Sequence, residues 1–188
     1  MRLTEYYKRA MKYDSYLDQL GENTDLHRLH YKKYTVSDSI EQQIKNINRQ
    51  RILVITEPWC SDSLALLPVI HKIVESAPDW ELKVLLRDEN PDIMAYFLTN
   101  GSSGIPVFIF LDDQDQVLFK FGPRPVAAQQ IFDNNREAIM EGKMERQEVI
   151  KKIRTFYAKD RGRSIEEELS LHIAQHFPKD KRTLQEKI

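Results

Sequence analysis

Cys60 is the only cysteine among 188 residues, and it lies in Trp59-Cys60-Ser61-Asp62-Ser63, between an apolar run and a helical pattern. A chain with one thiol forms no intramolecular disulfide, so its disulfide chemistry is exchange with another molecule's sulfur. The reactive species is the thiolate, and its abundance is set by the surroundings. Two carboxylates stand close in sequence, Asp62 and Glu57. Asp62 reads either as a first-turn residue complementing a helix dipole or as an acid/base, and its charge disfavours the thiolate. Glu57 reads either as a second candidate base or as a surface charge. Against all of these stands the plain reading of a lone cysteine as a small buried hydrophobe.

Other chemistry-bearing groups carry less. His172 and His176 are four apart on a predicted helix, but neither a third ligand nor a general-base glutamate has metal-site spacing, and His27 and His30 face the same objection. No metal and no cofactor is expected. Arg154, Arg161 and Arg163 adjoin Glu166, Glu167 and Glu168, which makes a solvated mixed-charge face. Gly101-Ser102-Ser103-Gly104 lacks the lysine and following helix of a phosphate loop.

The elements that position Cys60 are legible. Arg51 to Thr56 is apolar and β-branched, a buried strand, and Leu64, Leu67, Ile70, Ile73 and Val74 then recur at helical spacing. Cys60 therefore falls at the start of a helix, where unpaired N–H groups and the positive dipole end favour a thiolate. Pro68 lies inside that helix and is expected to bend it. Trp80 to Leu86 reads as a second strand, with Asn90-Pro91 opening a helix through Ile93, Met94, Phe97 and Leu98. Ile105-Pro106 precedes a strand, Val107 to Leu111, that a polar turn joins to Val117 to Gly122.

The segment from about Arg51 to Gly122 resembles the thioredoxin family. Trp59-Cys60-Ser61-Asp62-Ser63 is similar to the family's Trp-Cys-x-x-Cys. Pro68 falls at its helix-kinking proline, Ile105-Pro106 at its Ile/Thr-cis-Pro, and Gly122 at the glycine after its last strand. The resemblance implies an α/β fold, a thioredoxin-like three-layer sandwich with a mixed β-sheet flanked by helices. It also implies a cis Pro106 that turns the Ile105 backbone outward beside the thiol, where its N–H and C=O are available to an extended peptide, with Trp59 on the rim. The departures are Ser63, where the family has its resolving cysteine, Val54, where it has a buried acid, and Asp62, where it has a proline.

The ends extend beyond this core. Leu3, Tyr6, Ala10, Tyr13, Leu17 and Leu20 predict one amphipathic helix from Met1 stopped by Gly21. A mobile connection from Glu22 to Tyr34 follows, and then a helix capped by Ser37 or Asp38. Past Gly122, three helices are predicted, with interruptions at Gly142 and Gly162. Ser164 and Glu167 have capping-box spacing, the last helix ends near Pro178, and the tail from Lys179 is polar. The division expected is an N-terminal helical extension over 1–33, a thioredoxin-like domain over 34–141 and a C-terminal helical extension over 142–188.

A net charge of -1 with mixed signs gives no argument for nucleic acid, and no run reaches the roughly 20 apolar residues that span a bilayer. With no apolar signal core at the N-terminus, the expected location is cytoplasmic. Two functions are compatible with these residues. One is monothiol thiol–disulfide exchange through Cys60, with Ser63 unable to resolve, Asp62 beside the thiol, and an external thiol completing the reaction. Its partners are protein or small-molecule thiols and disulfides. The other is a redox-silent module that holds a peptide along Trp59, Ile105 and Pro106.

Overall fold

The computed structural model describes residues 2–47 and 49–177. A five-stranded mixed sheet runs in the order β1-β3-β2-β4-β5, formed by β1 (Met11–Lys12), β2 (Gln50–Thr56), β3 (Trp80–Leu86), β4 (Val107–Leu111) and β5 (Val117–Phe121). Only β2 and β3 are parallel, with Val54 opposite Val84, and β2 pairs antiparallel with β4, with Val54 opposite Phe108. Burial alternates with the pleat. Ile52, Val54, Phe108 and Phe110 face one layer of helices, while Leu53, Ile55, Val107 and Ile109 face the other. The central strands are apolar on both sides because both faces are covered. This is the expected three-layer α/β arrangement.

On the first face lie α2 (Tyr13–Leu17), α3 (Thr24–Lys33), α4 (Asp38–Ile44) and α5 (Ser61–Glu75). The same layer holds α7 (Val126–Asp133), α9 (Arg146–Asp160) and α10 (Arg163–His176), with α8 (Arg136–Met140) leading into α9. The second face is covered by α1 (Leu3–Arg9) and α6 (Pro91–Met94). Pro68 lies inside α5, as expected.

The N-terminal segment corrects the expectation of one helix. The chain turns extended at Ala10, and Met11 and Lys12 pair with Val84 and Lys83 at the edge of β3. Sheet pairing there overrides helical spacing, so α1 and α2 end on opposite faces. The stripe itself packs on its own domain, and two tyrosines outside it, Tyr7 and Tyr16, are buried as well.

The connection expected to be mobile from Glu22 is ordered. A short 3₁₀ turn at Gly21–Asn23 runs into α3, whose His27 is buried against Tyr13. The apolar stripe is hard to see because histidine and tyrosine supply much of it. Ser37 caps α4 by accepting from the Ile40 N–H.

The helix after Asn90 stops at Met94, short of Leu98. At α10 the cap is Gly162, and Ser164 instead bonds back to Asp160 through its N–H and hydroxyl, so the capping-box reading fails. Arg161 and Gly162 are both left-handed, and a Cβ on Gly162 would lie 2.8 Å from Tyr34 and Val69. Only glycine fits that turn. The last helix ends at His176, and the tail read from Lys179 lies outside the described residues. No helix among the described residues is long and apolar enough to cross a membrane.

Candidate thiol site

Cys60 is the N-cap of α5, with extended backbone, and its carbonyl accepts from the Leu64 N–H. Its own N–H donates to the Glu57 carbonyl at 3.1 Å, closing the turn that brings β2 into the helix. The Ile105–Pro106 peptide is cis, as the resemblance implies. Gly122 completes that contact. A Cβ there would stand 2.3 Å from the Pro106 carbonyl oxygen, so the end of β5 presses on the proline loop by being glycine.

The sulfur is not open. Cys60 is 7 % exposed, and its Sγ–H donates to the Ile105 carbonyl at 3.4 Å. One of the two backbone groups expected to be available to a peptide is therefore taken by the thiol. Burial pushes the thiol pKa up, and the Asp62 charge adds to that. The polar groups of the first helical turn, at Ser63 and Asp62, pull the other way. The helix-end effect is thus present, but desolvation outweighs it, which reverses the expected preference for the thiolate.

Asp62 lies in the first turn of α5, the dipole-complementing position, and is not a free acid. Its side chain is buried, with Oδ2 2.8 Å from Arg124 Nη2 and Oδ1 accepting from the Tyr157 hydroxyl at 2.8 Å. Arg124 follows β5, its Nη1 donates to Gln129 Oε1, and its guanidinium lies over the Phe132 ring. Tyr157 comes from α9, and burial beside the carboxylate holds its phenol neutral, well above its ordinary pKa. A buried carboxylate needs such partners.

Ser63 is wholly buried, and its hydroxyl accepts from Thr56 Oγ1 at 2.6 Å. Glu57, read as a surface charge or a base, is 5 % exposed and accepts the Asp88 N–H at 2.8 Å, which fixes the turn after β3. Burial raises its pKa. Trp59 is on the rim as expected, 56 % exposed, with the Arg87 guanidinium 5.1 Å from its ring centroid. Arg87 also donates to the Ser103 carbonyl. Ile105 and Pro106 are buried beneath.

Cys60, Asp62, Ser63, Trp59, Ile105 and Pro106 are thus neighbours, while the histidine pairs lie elsewhere. His172 stacks on Phe119 at a centroid distance of 5.2 Å with His176 beside it, and His27 bonds Tyr13. No group of three metal-ligating side chains occurs among the described residues. Thr56, Arg124 and Tyr157 are site residues that the sequence alone did not point to. The one signal for Tyr157 was its place in a helical apolar pattern.

A sequence model described as thioredoxin matches residues 10–139. A search of curated proteins finds no match. Two solved structures are similar. A protein of unknown function from Pseudomonas aeruginosa aligns with a TM-score of 0.64 at 19% identity, over 88% of this chain and 98% of that one. An HIV epitope-scaffold aligns with a TM-score of 0.65 at 17% identity, over 93% of this chain and 94% of that one. At such identities the two structures speak for the fold alone, while the sequence match covers most of the chain. On that match, the chain belongs to the thioredoxin family.

Proposed function

We propose that the protein is a monothiol thiol–disulfide exchange enzyme acting on mixed disulfides. The observation that carries this reading is the place of Cys60 at the N-cap of a 15-residue helix, with its Sγ 3.4 Å from the Ile105 carbonyl and the exposed Trp59 beside it.

In the first step the Cys60 thiolate attacks one sulfur of a mixed disulfide. The new Cys60–S–S–R bond forms as the old S–S bond breaks, and the other sulfur leaves as a thiolate. In the second, an external low-molecular-weight thiolate attacks the R sulfur of that bond and releases Cys60 as a thiolate. No net oxidant is used, because one disulfide is exchanged for another. Ser63 cannot compete in the second step, since its hydroxyl is far too weak an acid and is held by Thr56. The raised thiol pKa lowers the thiolate fraction but leaves a more nucleophilic sulfur.

The test is turnover of a fluorescent peptide held in mixed disulfide with a small thiol, with the same thiol in excess. Release above background that disappears in Cys60→Ser is expected. Equal rates for the wild type and Cys60→Ser would sink the exchange reading. One observation favours the redox-silent module instead, which is the low exposure of the sulfur next to a broadly exposed Trp59. That reading predicts peptide binding that survives Cys60→Ser and weakens in Trp59→Ala.

A further inference from the structure

Helix α3 is docked on a histidine. Of its ten residues only His27 is buried, at 2 % exposure, while Leu26 is partly covered and Leu29 is exposed. A helix held by so few buried apolar contacts lies at the low-stability end of a fold. His27 enters a pocket walled by Tyr13 and Tyr16 of α2, at ring-centroid distances of 5.9 and 6.4 Å. His71 of α5 lies on the far side of Tyr13, stacked on it at 3.5 Å.

This pocket suits a neutral ring only. The Tyr13 hydroxyl lies 2.5 Å from His27 Nε2, and Nδ1 is buried without a hydrogen-bond partner among the described residues. A proton would make both nitrogens donors and add a charge. Among the described residues no carboxylate bonds His27. Glu75 of α5 accepts the Tyr31 hydroxyl at 2.5 Å and stands 3.6 Å from His71 Nδ1, the charges of Glu75 and of Asp14 on α2 favour a proton on His71 instead, and Asp25 is exposed. His30 and His71 both oppose a positive charge at His27, and the Lys72 ammonium donates to the Tyr31 and Tyr34 carbonyls. Burial accordingly lowers the His27 pKa to about 4. The ring takes up a proton readily only where it reaches water.

The same segment holds the turn before the thiol. Asn23, at the end of the 3₁₀ turn that leads into α3, donates from Nδ2 to the Pro58 carbonyl at 3.3 Å. Tyr16, against which His27 packs, donates to the Glu57 carbonyl at 3.4 Å, and that oxygen also accepts the Cys60 N–H.

We propose that α3 is an acid-released latch on the thiol turn, in which protonation of His27 undocks α3 from α5 and, through Asn23, frees the turn from Glu57 to Cys60. The latch acts on access to the sulfur and does not depend on the exchange function proposed above.

The experiment is amide hydrogen exchange of the full chain at pH 7.5 and 5.0, read as protection factors that remove the intrinsic pH dependence of exchange. Protection over residues 24–33 should fall about thirty-fold, the effect of one histidine that titrates at 6.5 when open and about 4 when docked. At both pH values it should stay at least about tenfold below that of β4, because the latch opens without the core. His27→Leu and His27→Gln should abolish the fall. Reaction of Cys60 with 4,4′-dithiodipyridine, divided by the rate of the unfolded chain at the same pH, should rise from pH 7.5 to 5.0 in the wild type and stay flat in His27→Leu.

Equal protection at the two pH values, a fall that survives both substitutions, α3 exchanging in step with β4, or α3 opening with a flat thiol rate overturns the proposal. If both variants leave α3 undocked at pH 7.5, the wild type decides. Its His27 ring resonance should titrate over the pH range in which protection is lost, and titration outside that range overturns the latch.

Discussion

The Tyr157 hydroxyl donates to Asp62 Oδ1 at 2.8 Å across 95 positions of sequence, joining the C-terminal helices to the residue two places beyond the thiol. Arg124 holds the other carboxylate oxygen at the same distance. Asp62 is therefore a buried anion with two dedicated partners drawn from different parts of the chain.

Tyr157→Phe removes a hydrogen bond to a charged group and should cost about 2 kcal/mol in urea unfolding. Arg124→Gln leaves the carboxylate without its cation and should cost about 3 kcal/mol or more. Adding Asp62→Asn to Arg124→Gln should recover part of that loss. A double variant as unstable as the sum of the singles would mean that the pair is not coupled.

The thiol makes a prediction on the alkaline side. Because burial raises its pKa in the folded state, the unfolded thiol ionises first as pH rises past about 8.5. The stability it contributes is complete below that pH and is lost as pH climbs toward the folded value. Wild-type protein should therefore lose more stability than Cys60→Ala between pH 7.5 and 10 by chemical denaturation. Parallel slopes would show a thiol that ionises freely in the fold.

An acid-side prediction comes from His27. Its ring nitrogen Nε2 lies 2.5 Å from the Tyr13 hydroxyl, and burial lowers its pKa to about 4. The unfolded histidine takes a proton near pH 6.5 and the folded one does not. Stability is thus full above pH 6.5 and falls as pH drops toward 4. Between pH 7.5 and 5 the loss from His27 should be about 2 kcal/mol. His71, stacked on Tyr13 at 3.5 Å and also lowered by burial, against the pull of Glu75 and Asp14, works in the same direction. His27→Gln should flatten the profile, and an unchanged profile would assign the acid loss to other groups.

Gly162→Ala places a methyl 2.8 Å from Tyr34 and Val69 at a φ of +85°. Left-handed strain and overpacking together should cost about 3 kcal/mol. Thermal unfolding of the variant checks this, and an unshifted Tm would mean that the turn relaxes.

The core was legible because its signals are local. The run from Ile52 to Ile55 is β-branched or apolar throughout, Cys60 sits where that run meets a 3.6-residue pattern, and Ile105-Pro106 marks the loop beside it. What escaped depends on contacts distant in sequence. Arg124 and Tyr157 have no local pattern that announces Asp62 as their partner, and Asp62 looks exposed until α9 is laid over it. Ala10 to Lys12 has helical spacing that the open edge of β3 overrides. The thiol's pKa direction turned on burial, which spacing alone does not measure.

That open edge has a consequence for solubility. β3 is closed by a partner only two residues long, Met11–Lys12, whose lysine is exposed. Short, charged outer strands deny a passing chain the long row of unpaired amides that intermolecular sheet growth requires. The segment that interrupts the N-terminal helix therefore ends the sheet on this side and guards the protein against self-association there.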